Sequence, residues 1–211
     1  MLATICSART PGRCTPRRRT RQLHAARQAS CAAVSSMDEI EQRYASLKAK
    51  AFAAAPEITV AELLQLQKAG NSTVVLCDVR TPEECATSTL PGAQSRAAVD
   101  ADLDALRQCK ATVVCVCTIG ARSGVATLAL RAKGIEAVNL KGGVLAWTHA
   151  QGPLVEPATG AATWRVHVYA ADWALQADGY EPVSFARPPA GATLLGVLRD
   201  KVAALFGRGA G

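Results

Sequence analysis

The sequence predicts an α/β fold, in which a parallel sheet of about five strands carries helices on both faces. Short β-branched, apolar runs alternate with helical stretches, and this alternation is typical of a parallel sheet. The run at 112–116 is apolar without interruption by charge, as expected of a strand that is buried on both faces. At 211 residues and 49% hydrophobic residues, the chain has room for one such domain with extensions.

Local signals place the elements in order along the chain. Gly70 and Gly134 end two helical stretches, and Pro82 with the acidic residues after it opens another. The strands are predicted at 58–60 (a short strand or a helix cap), 74–79, 93–97, 112–116 and 137–140. The helices are predicted at 38–55, 61–69, from 82, and at 101–108, 123–134 and 143–149.

The turn after the 112–116 strand is the most informative segment for function. Cys117 is expected at the carboxyl end of this strand, where the backbone N–H groups of the turn and of the next helix converge and favour negative charge. A cysteine in such a place is a candidate nucleophilic thiolate, and Arg122 adds a cation beside it. A buried structural cysteine is the alternative interpretation. It suits Cys115, which lies within the strand, better than Cys117.

Three segments resemble a known family in the same order. Cys117 to Gly124 resembles the active-site loop of single-domain rhodanese-like sulfurtransferases. The upstream match comprises Asp78-Val79-Arg80, Glu83-Glu84 and Leu90-Pro91-Gly92-Ala93, and the downstream match comprises Gly142-Gly143 and Trp147. The resemblance covers about Glu57 to Pro153, and three ordered motifs are more specific than any one of them.

The resemblance implies a rhodanese-like fold and sulfur transfer through a persulfide on Cys117, with no cofactor. The thiolate would attack the outer sulfur of a donor and then pass that sulfur to cyanide or to a thiol. Asp78 and Arg80 are expected to brace the site as an ion pair rather than to react. The loop residues expected to bind the sulfur are Thr118, Ile119, Gly120, Ala121, Arg122 and Ser123.

The length of the loop favours sulfur over phosphate chemistry. Cys117 to Arg122 spans six residues, whereas relatives of this fold that cleave phosphate esters or reduce arsenate resemble His-Cys-x₅-Arg. Here Val116 stands in place of the His. Family members that favour thiosulfate often have basic loop residues, whereas Thr118, Ile119 and Ala121 carry no charge. The resemblance therefore implies that thiosulfate is a poor donor here. The expected partners are therefore a small sulfur donor or a protein persulfide, with a thioredoxin-like or glutathione-like thiol as acceptor.

Two other functions stay open at this point. The fold could serve as a non-catalytic module that binds partners, which the unusual 154–211 extension favours. Alternatively, Cys117 could pair with Cys115 or Cys85 as a thiol redox sensor. The His and Cys residues lack the spacing of a metal site, so no metal is expected.

The basic charge lies at the start of the chain. Residues 1–37 contain seven of the 24 Lys and Arg residues and no acidic residue, and the remaining 17 basic residues balance the 17 acidic ones. A nucleic-acid surface is therefore not expected. The composition of 1–37 predicts a disordered transit peptide, for the chloroplast or alternatively the mitochondrion. A basic arm that remains on the protein is the other interpretation.

The parts flanking the predicted 57–153 domain have less specific signals. Residues 38–56 are predicted to be helical, either as a spacer or as a helix that packs on the domain. In the C-terminal extension, 154–211, the aromatic residues are expected to cap the domain, and 194–206 is predicted to be an amphipathic helix. This helix is expected to pack on the core or to dock on the protein itself rather than to bind a membrane surface or a partner, because its polar face is short and mixed in sign. No apolar run reaches the roughly 20 residues of a membrane span.

Overall fold

The computed structural model describes residues 36–70 and 73–185. At its centre is an all-parallel sheet of five strands, which confirms the predicted α/β fold. The strands are β1 (Glu57–Ile58), β2 (Val74–Asp78), β3 (Gln94–Ser95), β4 (Thr112–Val116) and β5 (Ala137–Leu140). Their order in space is β1-β5-β4-β2-β3, so that β4 is the central strand.

Helices connect these strands, and short elements follow them. The helices are α1 (36–51), α2 (Val60–Lys68), α3 (Pro82–Thr87), α4 (Arg96–Ala101), α5 (Leu103–Gln108), α6 (Ala121–Ala132) and α7 (Gly143–His149). After them come β6 (Leu154–Val155), β7 (Ala162–Thr163), β8 (Arg165–His167), a 3₁₀ helix (Ala171–Trp173) and β9 (Glu181–Val183). Thr59 and Thr81 begin α2 and α3 with capping boxes completed by Glu62 and Glu84.

The core lies on both faces of the sheet. Along β4, Val114 and Val116 face one apolar cluster, while Val113 and Cys115 face the other. This alternation follows from the two-residue period of a strand. The first cluster takes side chains from α1, α2 and α7, and the second from α4, α5 and α6. Helices therefore cover both faces, which fixes the carboxyl edge of the sheet as the exposed place for chemistry.

Helix α1 packs in the core, which is one of the two roles expected for it. Ile40, Tyr44 and Leu47 are buried on one side of the helix, and Phe52 is buried just after it. The ring of Phe52 occupies the space above Gly124 of α6, where a Cβ atom would lie 2.2 Å from the ring. The helix also includes residues 36 and 37, before the predicted boundary at 38.

The first part of the C-terminal extension also packs on the domain. Leu154, Val166, Val168 and Tyr180 are buried in the same cluster as α1 and α7. Trp164, by contrast, remains 60% exposed. The predicted transit peptide up to residue 35 and the predicted helix at 194–206 lie outside the described residues.

Several predicted boundaries differ from the structure. The helix predicted at 101–108 corresponds to α5, and α4 precedes it. The two helices are separated at Asp102, which is not helical. The strand predicted at 93–97 is shorter because Ser95 caps α4 by accepting a hydrogen bond from the Ala98 N–H. Helix α6 begins at Ala121 rather than at 123. Within the described ranges, no helix is long and apolar enough to cross a membrane.

Candidate active site

Cys117 lies directly after the central strand, at the start of α6. Its Sγ atom accepts hydrogen bonds from the Gly120 N–H at 3.2 Å and from the Ser123 hydroxyl at 3.3 Å. The side chain is nearly enclosed, with 1% of its surface exposed. Two donors and a helix N-terminus beside one sulfur atom stabilise negative charge on it. The structure thus places Cys117 as the sequence predicted, at the carboxyl edge of the sheet.

Residues 117–122, which we call the catalytic loop after the role proposed for them below, are supported from behind by α1 and β5. The Asn139 side chain donates hydrogen bonds to the Gly120 carbonyl at 2.9 Å and to the Tyr44 hydroxyl at 3.1 Å. Tyr44 in turn donates to Glu57 at 2.7 Å. Gly120 has a φ of 99°, and a Cβ atom there would lie 2.6 Å from the Tyr44 ring. Gly120 therefore serves both the left-handed turn and the close approach of Tyr44.

The two-glycine motif brings α7 against the same loop. The N–H groups of Val144 and Leu145 donate to the carbonyls of Cys117 and Thr118 at 2.9 and 3.1 Å. Gly143 has a φ of 57°, and a Cβ atom on it would lie 2.3 Å from the Cys117 carbonyl oxygen. Because α7 meets the loop through backbone atoms, a side chain at residue 143 could be accommodated only by displacing the loop.

Arg122 is held by an acidic partner that sequence reasoning did not assign to the site. Its guanidinium donates to both carboxylate oxygens of Glu84, at 2.6 and 2.8 Å, and to the Thr118 hydroxyl at 3.2 Å. His167 Nδ1 lies 3.2 Å from the same carboxylate. Burial would raise the pKa of Glu84, but the His167 and Arg122 side chains outweigh it and hold that pKa below its ordinary value. The carboxylate therefore offsets the positive charge of Arg122.

Asp78 and Arg80 form a buried ion pair beside the site. The Arg80 guanidinium contacts an Asp78 oxygen at 2.6 Å and donates to the Ser88 carbonyl at 2.6 Å. The Thr89 hydroxyl donates to Asp78 at 2.8 Å. Burial alone would raise the pKa of Asp78, but Arg80 and Thr89 lower it. The pair ties the end of β2 to the 88–89 segment, an arrangement that suits bracing.

Two aromatic residues from the C-terminal extension cover the sulfur. Tyr169 and Trp173 line a cavity of about 10 Å³ together with Cys117, Ile119 and Arg122. Sequence reasoning placed these aromatics on the domain but not at the site, since nothing in their spacing relates them to Cys117. Of the predicted loop residues, Thr118, Ile119, Ala121 and Ser123 are buried. No group of three or more His, Cys, Asp or Glu side chains within the described ranges could hold a metal ion.

The comparison with family models decides the assignment. The model of the rhodanese-like domain matches residues 59–150. Residues 59–150 are a rhodanese-like domain. The match begins at the cap of α2 and ends just after α7, so it contains the whole catalytic loop and both glycines that support it. It excludes α1 and the segment that carries Tyr169 and Trp173.

Solved structures with similarity to the chain include several rhodanese-related proteins. A rhodanese-like domain protein from Staphylococcus aureus is 33% identical, over 44% of this chain and 90% of that chain, with a TM-score of 0.39. A rhodanese-related protein from Thermoplasma volcanium is 22% identical, over 47% and 97%, with a TM-score of 0.41. Thiosulfate sulfurtransferase from Pseudomonas aeruginosa is 23% identical, over 58% and 23%, with a TM-score of 0.45. No curated protein matches the chain.

The Glu84–Arg122 pair of this rhodanese-like domain predicts a pH-dependent contribution to stability. Because the pKa of Glu84 is lowered from its ordinary value of 4.5, the stabilisation is complete above that value. It is lost as pH falls below 4.5, where the unfolded chain binds the proton first. Urea unfolding of Glu84→Gln near neutral pH should show a loss of about 3 kcal/mol, and this difference from the wild type should shrink in acid.

The matched control is Glu83→Gln, which changes an exposed carboxylate in the same helical turn. It should change the free energy of unfolding much less than Glu84→Gln does, because the side chain is fully exposed. A Glu84→Gln difference that stays constant down to acid pH would contradict the assignment of a stabilising charge to Glu84.

Proposed function

We propose that the protein is a sulfurtransferase that carries a sulfane sulfur on Cys117. The observation that carries this proposal is the position of the Cys117 sulfur, which accepts hydrogen bonds from Gly120 and Ser123 at the N-terminus of α6. The same donors would stabilise a persulfide anion. The cavity above Cys117, about 10 Å³, has room for about one further atom.

The reaction would proceed in two steps. The Cys117 thiolate attacks the outer sulfur of a donor R–S–SH, and the donor S–S bond breaks with its electron pair on the inner sulfur. The products are R–SH, which takes the proton, and the persulfide anion Cys117–S–S⁻. In the second step cyanide or a thiolate attacks the outer sulfur of this persulfide. The Cys117 thiolate leaves and is restored, and thiocyanate or an acceptor persulfide departs.

We propose a persulfide on a thiol carrier as the donor in preference to thiosulfate. The side chains of Thr118, Ile119 and Ala121 carry no charge. The cation of the loop, Arg122, is already paired with both oxygens of Glu84. A dianion entering this site would lose water without gaining an unpaired positive charge, and such desolvation is costly.

The thiol redox sensor has less support from the cysteine positions. Cys115 lies opposite Cys77 on β2 and packs in the apolar cluster on the other face of the sheet. Burial and the Asp78 carboxylate raise the pKa of Cys85 to about 12, which disfavours a reactive thiolate at neutral pH. The binding-module alternative is favoured by the near-complete enclosure of Cys117.

Sulfur loading tests the proposal directly. We expect the reduced full-length protein, exposed to glutathione persulfide and then desalted, to gain the mass of one sulfur atom, located on the peptide that contains Cys117. Cyanide should remove this sulfur as thiocyanate. Aryl phosphates should not be hydrolysed, because the six-residue loop is too short for a phosphate group. A folded protein that acquires no cyanide-labile sulfur from either glutathione persulfide or thiosulfate would favour the binding module.

A further inference from the structure

The aromatic cap, which we define as Tyr169 and Trp173, leaves little space over the sulfur of Cys117. The cavity beneath it, about 10 Å³, holds about one water-sized atom. A transferred sulfur bonded to Cys117 would fill that space. The remainder of a donor molecule must therefore lie where the two rings now stand, or pass between them.

Contacts with two parts of the domain, and the contact between the two rings themselves, hold the cap in place. Arg43 of α1 stacks on the Trp173 ring at 4.9 Å and donates to the Asp172 carbonyl at 3.1 Å. Arg122 lies under the Tyr169 ring at 5.9 Å. The two rings of the cap meet edge to face, with centroids 5.9 Å apart. The cap is thus anchored both to α1 and to the catalytic loop.

The anchors are weak enough for the cap to move. A cation–π contact at a partly exposed site stabilises only weakly, because water solvates the cation there. The Arg43 side chain is 30% exposed, and its hydrogen bond to Asp172 lies at the surface. Trp173 is only partly buried against the core cluster, so displacing it costs less than opening the core on which α1 packs.

Donors differ in the group that is attached to the sulfur they give away. In a thiol persulfide this group is a divalent sulfur on a methylene chain, which is slender and uncharged. In thiosulfate it is a sulfonate, which is wide and anionic. The two rings meet edge to face, so any donor must push them apart, and a sulfonate, which is wider than a methylene chain, must displace them further than a thiol persulfide does.

We propose that Tyr169 and Trp173 are specificity-determining residues that admit slender thiol persulfides to Cys117 and reject thiosulfate. This inference rests on the proposed sulfur transfer and assigns its donor selectivity to two residues outside the 59–150 family match. The cap also shields the sulfur held on Cys117 from small nucleophiles between the two steps.

Trp173→Ala tests the cap, with two readouts on the full-length chain. The first readout is the rate at which iodoacetamide alkylates Cys117, followed by peptide mapping, and it needs no sulfur chemistry. We expect this rate to rise about tenfold. The second readout is the ratio of kcat/KM for glutathione persulfide to that for thiosulfate, with cyanide as acceptor. We expect this ratio to fall about tenfold, the scale of steric discrimination in a pocket.

Two further variants make the test specific. Trp164→Ala removes another aromatic from the same extension, one that is 60% exposed and stacks on Tyr180. It should leave both readouts unchanged. Trp173→Phe keeps a ring above the sulfur and should restore most of the selectivity. Circular dichroism and thermal melting should show a native fold for each variant.

The outcomes separate the inference from the proposed function. A folded Trp173→Ala protein with wild-type alkylation would overturn the cap. Faster alkylation with an unchanged donor ratio would overturn the selectivity while leaving Cys117 as the sulfur carrier. Faster alkylation with no persulfide in any variant would support the cap and refute sulfur transfer.

Discussion

Cys117→Ser is expected to lower sulfur transfer from any donor by about a thousandfold or more. A serine hydroxyl cannot form the persulfide through which the sulfur passes. The hydroxyl is nearly the same size and can still accept the Gly120 N–H, so the loop should keep its shape. The measurement is steady-state thiocyanate production with glutathione persulfide and cyanide, together with the mass of the protein after loading.

Two other cysteines provide matched controls for this variant. Cys109 is exposed at the end of α5, and Cys109→Ser should transfer sulfur at the wild-type rate. Cys115 is fully buried in the apolar cluster, so Cys115→Ser should reduce stability by about 1–3 kcal/mol with little effect on rate. Equal loss of turnover in the Cys115 and Cys117 variants, with both folded, would show that Cys117 is not the nucleophile.

Gly143→Ala should cause a large loss of both stability and rate without altering the nucleophile. The added Cβ would lie 2.3 Å from the Cys117 carbonyl oxygen and within 3 Å of the Thr118 backbone, so α7 and the catalytic loop must separate. Overpacking of this kind costs about 1–3 kcal/mol. The left-handed backbone at φ 57° adds about 1–2 kcal/mol. A loop shifted by about 1 Å should transfer sulfur about a hundredfold more slowly.

Gly160→Ala separates the two causes. Gly160 has a φ of 72°, and no atom lies within 4 Å of the place where its Cβ would be. This variant carries the backbone strain without the clash, so it should lose about 1–2 kcal/mol and no activity. Thermal melting and thiocyanate assays on both variants give the comparison. Wild-type kinetics in folded Gly143→Ala would mean that the contact of α7 with the loop does not position Cys117.

Local patterns made the sheet and the position of Cys117 predictable. An apolar strand, a turn with Gly120 and a helix are adjacent along the chain, so their sequence determines where Cys117 lies. The ion pair of Asp78 and Arg80 was also foreseeable, since the two residues flank one position at the end of β2.

Contacts between distant segments were not predictable in the same way. Glu84 and Arg122 are 38 residues apart, and Glu84 looked like an ordinary acid in the first turn of α3. Its capping box with Thr81 was the available signal, because it fixes the carboxylate at one place. The burial of α1 depends on Gly124 in another helix, because the absence of a side chain there leaves space for Phe52. The position of the cap depends on the path that the chain takes after Pro153. Local secondary-structure propensity does not predict this path.

The packing of α1 determines the shortest fragment of this chain that can fold independently. The family match starts at residue 59, yet Ile40 and Phe52 fill the core, and Tyr44 shares the Asn139 side chain with the catalytic loop. A fragment that begins at residue 59 would lack Phe52, so Gly124 would be exposed to water. It would also lack Tyr44, which supports the catalytic loop from behind. A protease that removes Ile40 and Phe52 should therefore unfold the domain rather than shorten it. An excised domain intended for crystallisation or directed evolution should keep every residue from 36 onward.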